Sequence, residues 1–216
     1  MNASAPAKTL GPDASLDRPV ESKPVIMRVD NIAPEEERRQ IYEFLAGPGW
    51  NFGWKSSSKT DVYSFWHKHF VGTYSPEEAS REEDGRRRDL APELEETYPL
   101  LFALWKRLQE TILKGHSLVR CYANGIPYGS DGTLHTDSSS SRSFTTVYYP
   151  HDAWSPNWGG ETVLFNREVT DVIGAIFPKP NRAAMFQGNV PHVARGVSRL
   201  CPVMRITLMF KSEIPS

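Results

Sequence analysis

His135 and Asp137, in the run Gly132-Thr133-Leu134-His135-Thr136-Asp137, have the types and spacing to hold a metal ion. On a strand, side chains two positions apart point to the same face, so a histidine and an aspartate spaced this way can converge on one ion. A third donor is needed, and His192 in Val190-Pro191-His192-Val193 supplies a candidate. Two imidazoles and one carboxylate on one face of an ion leave its remaining positions open, a ligand set suited to non-heme Fe(II). The pair alone is not specific, because any exposed strand can carry His-x-Asp by chance.

The other histidines make weaker sets. His67-Lys68-His69 has strand-compatible ligand spacing but no carboxylate in register, and reads as a surface strand or pocket rim. His116 follows an expected helix end, where it would complement the helix dipole. His151 and Asp152 are adjacent and would face opposite sides of a strand. Cys121 and Cys201 sit in apolar strand-like segments outside any Cys-x-x-Cys pair, which argues for reduced core thiols and against structural zinc.

The elements that must position these residues fall into two textures. Residues 1–24, rich in Ala, Ser, Pro and Asp, read as a disordered tail. A short strand is expected from Val25 to Val29. A helix then opens at Asn31 and Pro34, runs to about Leu45 and stops at Gly47-Pro48-Gly49. Residues 50–73 are aromatic-rich and suggest strands around a turn at Ser56 to Thr60, with the Trp54 to Trp66 stretch serving as lid, pocket wall or core. A charged loop follows over 74–90. Leu94, Tyr98, Leu101, Trp105, Leu108 and Ile112 then recur at helical spacing; Pro99 either kinks that helix or opens a second segment, and Gly115 ends it. Eight short strands are expected after it, at 117–122, 133–137, 143–149, 161–165, 171–177, 183–186, 192–197 and 204–211. Helices followed by strands separated by Gly, Pro, Asn and Ser predict a mainly β fold with supporting helices, a sandwich or jelly roll. Residues 25–216 would make one domain, a helical and strand buttress over 25–115 and a β core over 116–216.

Composition narrows the function classes. A net charge of −1 and a pI near 6.6 imply no basic face, so nucleic acid is not an expected partner. The Arg86-Arg87-Arg88 run is offset by Glu82, Glu83 and Asp84. No apolar run reaches membrane-spanning length and no secretory signal is visible, which points to a cytoplasmic protein. The amphipathic helix and the aromatic segment could supply a homodimer surface.

From residue 117 to 211 the chain resembles the Fe(II)- and 2-oxoglutarate-dependent dioxygenases of the prolyl-4-hydroxylase-like branch. The likeness rests on His135-Thr136-Asp137, Thr145-Thr146-Val147-Tyr148-Tyr149, Trp158-Gly159-Gly160-Glu161-Thr162, Ala184-Met185-Phe186, His192 and Arg205-Ile206-Thr207, in that order. The resemblance implies a double-stranded β-helix (cupin-like jelly roll) in which His135, Asp137 and His192 bind Fe(II). It implies 2-oxoglutarate and O2 as co-substrates, with ascorbate as an auxiliary reductant. The far carboxylate of 2-oxoglutarate would meet Arg205, with Thr207 and Tyr149 beside it and Tyr122 lining the pocket. An arginine suits this role because its planar fork donates to both oxygens at once. The family's basic residue follows the second histidine more closely than Arg205 does (192 to 205, thirteen positions), which leaves Arg199, at seven, as an alternative. Gly159-Gly160 would serve a turn or close strand packing, and Trp154 and Trp158 would pack near the rim.

The implied reaction is hydroxylation of an unactivated carbon with release of succinate and CO2. Related halogenases typically carry a small residue where Asp137 stands, so the carboxylate argues for oxygen transfer. The substrate would be an amino acid or small natural product, or alternatively a peptidyl proline. Ser138 to Ser141 follow the ligand aspartate and would border the site's mouth, where Arg142 could contact an anionic group of a substrate. Two other classes share part of the pattern. A non-catalytic cupin-like binding module needs only the strands, and a 2-oxoglutarate-independent oxygenase or isomerase needs the triad without Arg205 and Thr207.

Overall fold

The structure, a computed structural model, describes residues 24–55, 64–73 and 88–215. The expected tail up to residue 23, the turn at Ser56 to Thr60 and most of the charged loop at 74–90 lie outside the described residues.

Two antiparallel sheets face each other. The larger contains β1 (Ile26–Asp30), β2 (Asn51–Trp54), β3 (Phe65–Val71), β4 (Ser117–Ile126), β5 (Ser143–Tyr149), β8 (Arg182–Gln187) and β10 (Arg205–Glu213), in the order β1-β8-β5-β10-β4-β3-β2. The smaller holds β6 (Thr162–Phe165), β7 (Val172–Ile176) and β9 (His192–Ala194), in the order β7-β6-β9. This is the mainly β, double-stranded β-helix architecture, with strands β1 to β3 from the first half of the chain widening the large sheet. The expected strand over 133–137 is absent as a regular element: only His135 pairs, in an isolated bridge.

Residue parity assigns the faces of the large sheet. In β10, Ile206, Leu208 and Phe210 join the helix-side core, and so do Cys121 and Ala123 of β4 and Phe144 and Tyr148 of β5. The alternate residues, among them Tyr149 and Val147 of β5 and Ala184 and Phe186 of β8, pack toward the small sheet with Leu164 and Ile176. Both faces of β5 are therefore covered, which explains a strand buried at every position.

Helices α1 (Glu35–Ala46), α2 (Ala91–Thr97) and α3 (Pro99–Glu110) cover the outer face. Leu101, Leu104, Trp105 and Leu108 of α3 are fully buried there, and Trp105 lies 5.7 Å from Phe210 between ring centroids. Burial of each such side chain contributes about 1.5–3 kcal/mol. The single long helix divides at Tyr98, whose φ of −135° is non-helical, and Pro99 opens the second segment, where its missing N–H costs nothing. That segment ends at Glu110, short of Ile112: Thr111 leaves helical geometry at φ −118° and ψ −86°, and its hydroxyl donates to the Arg107 and Leu108 carbonyls in the last turn. The C-terminus of α1 is closed by Lys68, whose ammonium donates to the carbonyls of Leu45 and Gly47 at 2.8 Å each. Cys121 and Cys201 are free. Among the described residues no helix is long and apolar enough to cross a membrane.

Candidate functional site

His135 and His192 exchange both backbone hydrogen bonds, His135 N–H to His192 O at 3.0 Å and His192 N–H to His135 O at 2.9 Å. Directly paired residues present their side chains on one face, and the two imidazole centroids lie 4.4 Å apart. Beyond the bridge the chain leaves the ladder and wraps the turn after β8. The Asp137 and Ser138 N–H groups both donate to Gly188 O, at 2.8 and 3.1 Å. Convergence of the three side chains therefore comes from cross-strand pairing and this wrap, where the sequence pattern suggested alternation along one regular strand.

Each histidine is oriented by its own backbone. His135 Nδ1 lies 2.8 Å from Thr133 O and His192 Nδ1 lies 2.9 Å from Val190 O. A carbonyl can only accept, so in both rings Nδ1 carries the proton and Nε2 keeps its lone pair, the usual support for a metal-bound imidazole. Those Nε2 atoms lie 3.5 Å from Asp137 Oδ1 (His135) and 3.3 Å from Asp137 Oδ2 (His192), and all three donor atoms fall within 4.8 Å of one another. Donor types, tautomers and spacing fit one divalent ion with open positions.

Asp137 has two further neighbours. Thr145 donates to Oδ2 at 2.5 Å, and the Lys211 ammonium contacts the same oxygen while donating to Thr145 Oγ1 at 2.9 Å. Burial works to raise the Asp137 pKa, but the charge of Lys211 and the two imidazoles outweigh it and hold the carboxyl well below its ordinary value. Burial also opposes protonation of both histidines. In His135 the contact with Asp137 wins and the pKa rises; in the more deeply enclosed His192 burial wins and it falls.

Arg205, at the start of β10, is 1% exposed on the face that looks toward the small sheet. Its Nε donates to Gly160 O at 2.6 Å and its Nη2 to Thr162 Oγ1 at 3.1 Å. Tyr149 meets the same hydroxyl at 3.0 Å, and the guanidinium lies 5.6 Å from the Tyr149 ring centre. Gly160 makes this approach possible: at φ +82°, an added Cβ would sit 3.0 Å from the Trp154 ring and 3.1 Å from Arg205 Cδ. Trp154 and Trp158 pack beside it with Val197 and Cys201. Arg199 is exposed in a turn. Thr207 is buried on the same face as Arg205, and Tyr122 lies on it opposite Met209.

Other expectations need correction. His67 is 2% exposed and His69 half-buried, and register with Asn124 and Tyr122 turns both toward the inner face; they are not surface residues. His67 stacks on Trp54 at 4.4 Å. Burial, then the charges of His69 and Arg120, lower its pKa to about 4. His116 does not serve a helix dipole: it is buried against Phe144, bonded to Ser212 at 3.1 Å, and lowered by burial. Arg142 turns away from the site to the carbonyls of Ile214 and Pro215. His151 accepts from the Ile206 N–H at 2.9 Å, as suits a histidine outside any ligand set.

Sequence reasoning gave no role of their own to Lys211, Thr145, Thr162 or Arg120. The signal for Lys211 was present: Arg205, Thr207, Met209 and Lys211 alternate along one strand, so a lysine shares the face of the buried arginine.

Residues 119–210 match the sequence profile of the 2OG-Fe(II) oxygenase superfamily. No curated protein sequence matches the chain. Among solved structures it is similar to a Pseudomonas putida prolyl-4-hydroxylase (15% identity, 88% of this chain and 93% of that one, TM-score 0.56). It is also similar to a 2OG-Fe(II) oxygenase family oxidoreductase from Burkholderia pseudomallei (16%, 90% and 86%, TM-score 0.61). A third likeness is to a Trichoplax adhaerens prolyl hydroxylase in complex with a hypoxia inducible factor oxygen degradation domain peptide fragment (16%, 87% and 83%, TM-score 0.54). These likenesses show a shared fold. The superfamily implies Fe(II), 2-oxoglutarate and O2, and the His135, Asp137 and His192 cluster could hold the iron.

Proposed function

We propose that this chain, a 2-oxoglutarate-dependent dioxygenase by its 2OG-Fe(II) oxygenase domain, hydroxylates an unactivated carbon of an amino acid or small natural product. In balance, R–H, O2 and 2-oxoglutarate become R–OH, succinate and CO2. The observation that carries the reading is a three-donor cluster and a fully buried arginine that face the same space between the two sheets, the cluster from the side of the small sheet and Arg205 from the large one. Bound Fe(II) supplies the activation of O2 and the oxidising power.

The chain's own residues supply position. His135, Asp137 and His192 hold the iron through two Nε2 atoms and a carboxylate oxygen. Arg205 offers the rest of its fork to the far carboxylate of 2-oxoglutarate, steadied by Gly160, Thr162 and Tyr149. Thr207 and Tyr122 line the same face. Val147, Leu164, Phe186 and Met209 pack around it and keep water from the co-substrate. This buried cation distinguishes the reading from a cupin-like binding module and from a 2-oxoglutarate-independent oxygenase, neither of which needs it. A second reading, hydroxylation of peptidyl proline, is favoured by the likeness to a peptide-bound prolyl hydroxylase.

Succinate release from 2-oxoglutarate, with and without Fe(II), tests the reaction, and a panel of amino acids, short peptides and metabolites scores stimulation. Succinate formed only with Fe(II) is the expected result. No iron-dependent succinate under any addition would refute the reading.

A further inference from the structure

The inner face of the large sheet carries a second cationic centre that the reaction as described does not use. Arg120 on β4 and Lys211 on β10 are direct cross-strand partners. Like charges placed opposite each other destabilise a sheet, and both side chains here are largely removed from water. Lys211 is answered by Asp137. Arg120 forms no ion pair among the described residues: its guanidinium lies over the Tyr122 ring at 4.6 Å and the Trp54 ring at 5.7 Å, and its buried Nη1 has no hydrogen-bond partner. Lys211 Nζ approaches the same Tyr122 ring at 6.0 Å. Buried polar groups are almost always satisfied, so a guanidinium held against two aromatic rings with its buried Nη1 unpartnered calls for an anion.

2-Oxoglutarate does not fill that need. In the proposed function one of its ends is at the metal cluster and the other at Arg205, which occupies the opposite end of the β10 face from Lys211. Six residues of strand separate those two positions, roughly 20 Å between Cα atoms. Both charges of the co-substrate are met without Arg120.

We propose that Arg120 and Lys211 seat a carboxylate of the primary substrate, so that the enzyme acts on a free acid in preference to an internal residue of a peptide. The inference rests on the dioxygenase reading for the identity of the site, and it narrows the substrate class. The planar guanidinium takes both carboxylate oxygens, the ammonium adds a point charge beside the metal cluster, and Trp54 and Tyr122 flank the apolar body of the ligand. A neutral amide in the same place would leave Arg120 uncompensated.

The test uses Fe(II)-loaded protein, saturated with 2-oxoglutarate and free of oxygen. Calorimetry compares L-proline, L-leucine and L-phenylalanine with their carboxamides. Charge-assisted bonds of this kind discriminate by roughly tenfold to a hundredfold. At least one acid is expected to bind tenfold more tightly than its amide, with the preference lost in Arg120→Gln and partly kept in Arg120→Lys. No preference in any pair, or a full preference in folded Arg120→Gln protein, overturns the proposal. Should the Gln variant not fold, wild type against Arg120→Lys decides, since loss of the fork must shrink the preference. Iron-dependent succinate formation by wild-type protein in air is scored separately. Succinate without acid preference sinks the carboxylate seat alone; acid preference without succinate keeps the seat and sinks the dioxygenase reading.

Discussion

Replacing Arg205 with methionine keeps much of the side chain's bulk and removes its charge and fork. In the folded protein the guanidinium spends Nε on Gly160 and part of Nη2 on Thr162, so the remainder is what an incoming carboxylate meets. Removing one partner of a buried, hydrogen-bonded charge pair costs about 2–5 kcal/mol. At 1.4 kcal/mol per decade, the lower bound is a roughly 30-fold weaker apparent affinity for 2-oxoglutarate, and the upper bound exceeds a thousandfold. Arg205→Lys keeps charge without the fork and is expected to fall between wild type and the methionine variant. Arg199→Ala changes an exposed turn and is expected to leave the affinity alone. The assay is initial succinate release against 2-oxoglutarate at fixed Fe(II), with thermal unfolding to show that each variant is folded. The Gly160 carbonyl left unpaired costs about 1–3 kcal/mol of stability, a separate effect that the unfolding curve reads. An Arg205→Met protein that folds and stays within twofold of wild type would refute the assignment. So would a weakened Arg199→Ala.

Three further outcomes are expected. Asp137→Ala removes one of three donors and should weaken Fe(II) retention in anaerobic dialysis by at least about a hundredfold, more than the loss of an outer partner costs; near-stoichiometric iron in that variant would sink the ligand set. His67 and His151 are each lowered from 6.5 to about 4, chiefly by burial. Above pH 6.5 both are neutral folded and unfolded; between 6.5 and 4 the unfolded chain binds protons the folded one refuses, so stability falls with acid by up to about 3 kcal/mol per histidine. Denaturant titrations at pH 7, 5.5 and 4.5 read this, and a flat profile would contradict it. Lys68→Met uncaps the Gly47 carbonyl and leaves that of Leu45 with the Trp50 indole N–H alone, at the end of α1, and should cost about 1–3 kcal/mol in urea unfolding without changing iron retention; an unaltered midpoint would show that the cap contributes nothing.

The class of fold, the helical spacing of the segment around Leu94 to Leu108 and the three residues that come together as candidate metal donors were legible in the sequence. Those rest on local signals: apolar spacing at period 3.6 or 2, turn residues between strands, and a rare coincidence of His-x-Asp with a later histidine and a terminal-strand arginine. The choice of Arg205 over Arg199 was open in the sequence, because chain distance alone does not say which cation is buried. Pairing and packing show which one is: Arg205 heads a ladder strand under Gly160, and Arg199 lies in an exposed turn. Tertiary structure alone also brought Asp137 to the histidines, by wrapping residues 137 and 138 around Gly188, and turned His67 and His69 inward through their register with β4. The Arg120 and Lys211 pair was the least legible feature. The two residues lie ninety-one positions apart, from 120 to 211, and become neighbours only because β10 inserts between β4 and β5. Local propensity fixes which segments are strands; which strands pair, and in what register, depends on burying both faces of the large sheet at once, and that is a property of the whole chain.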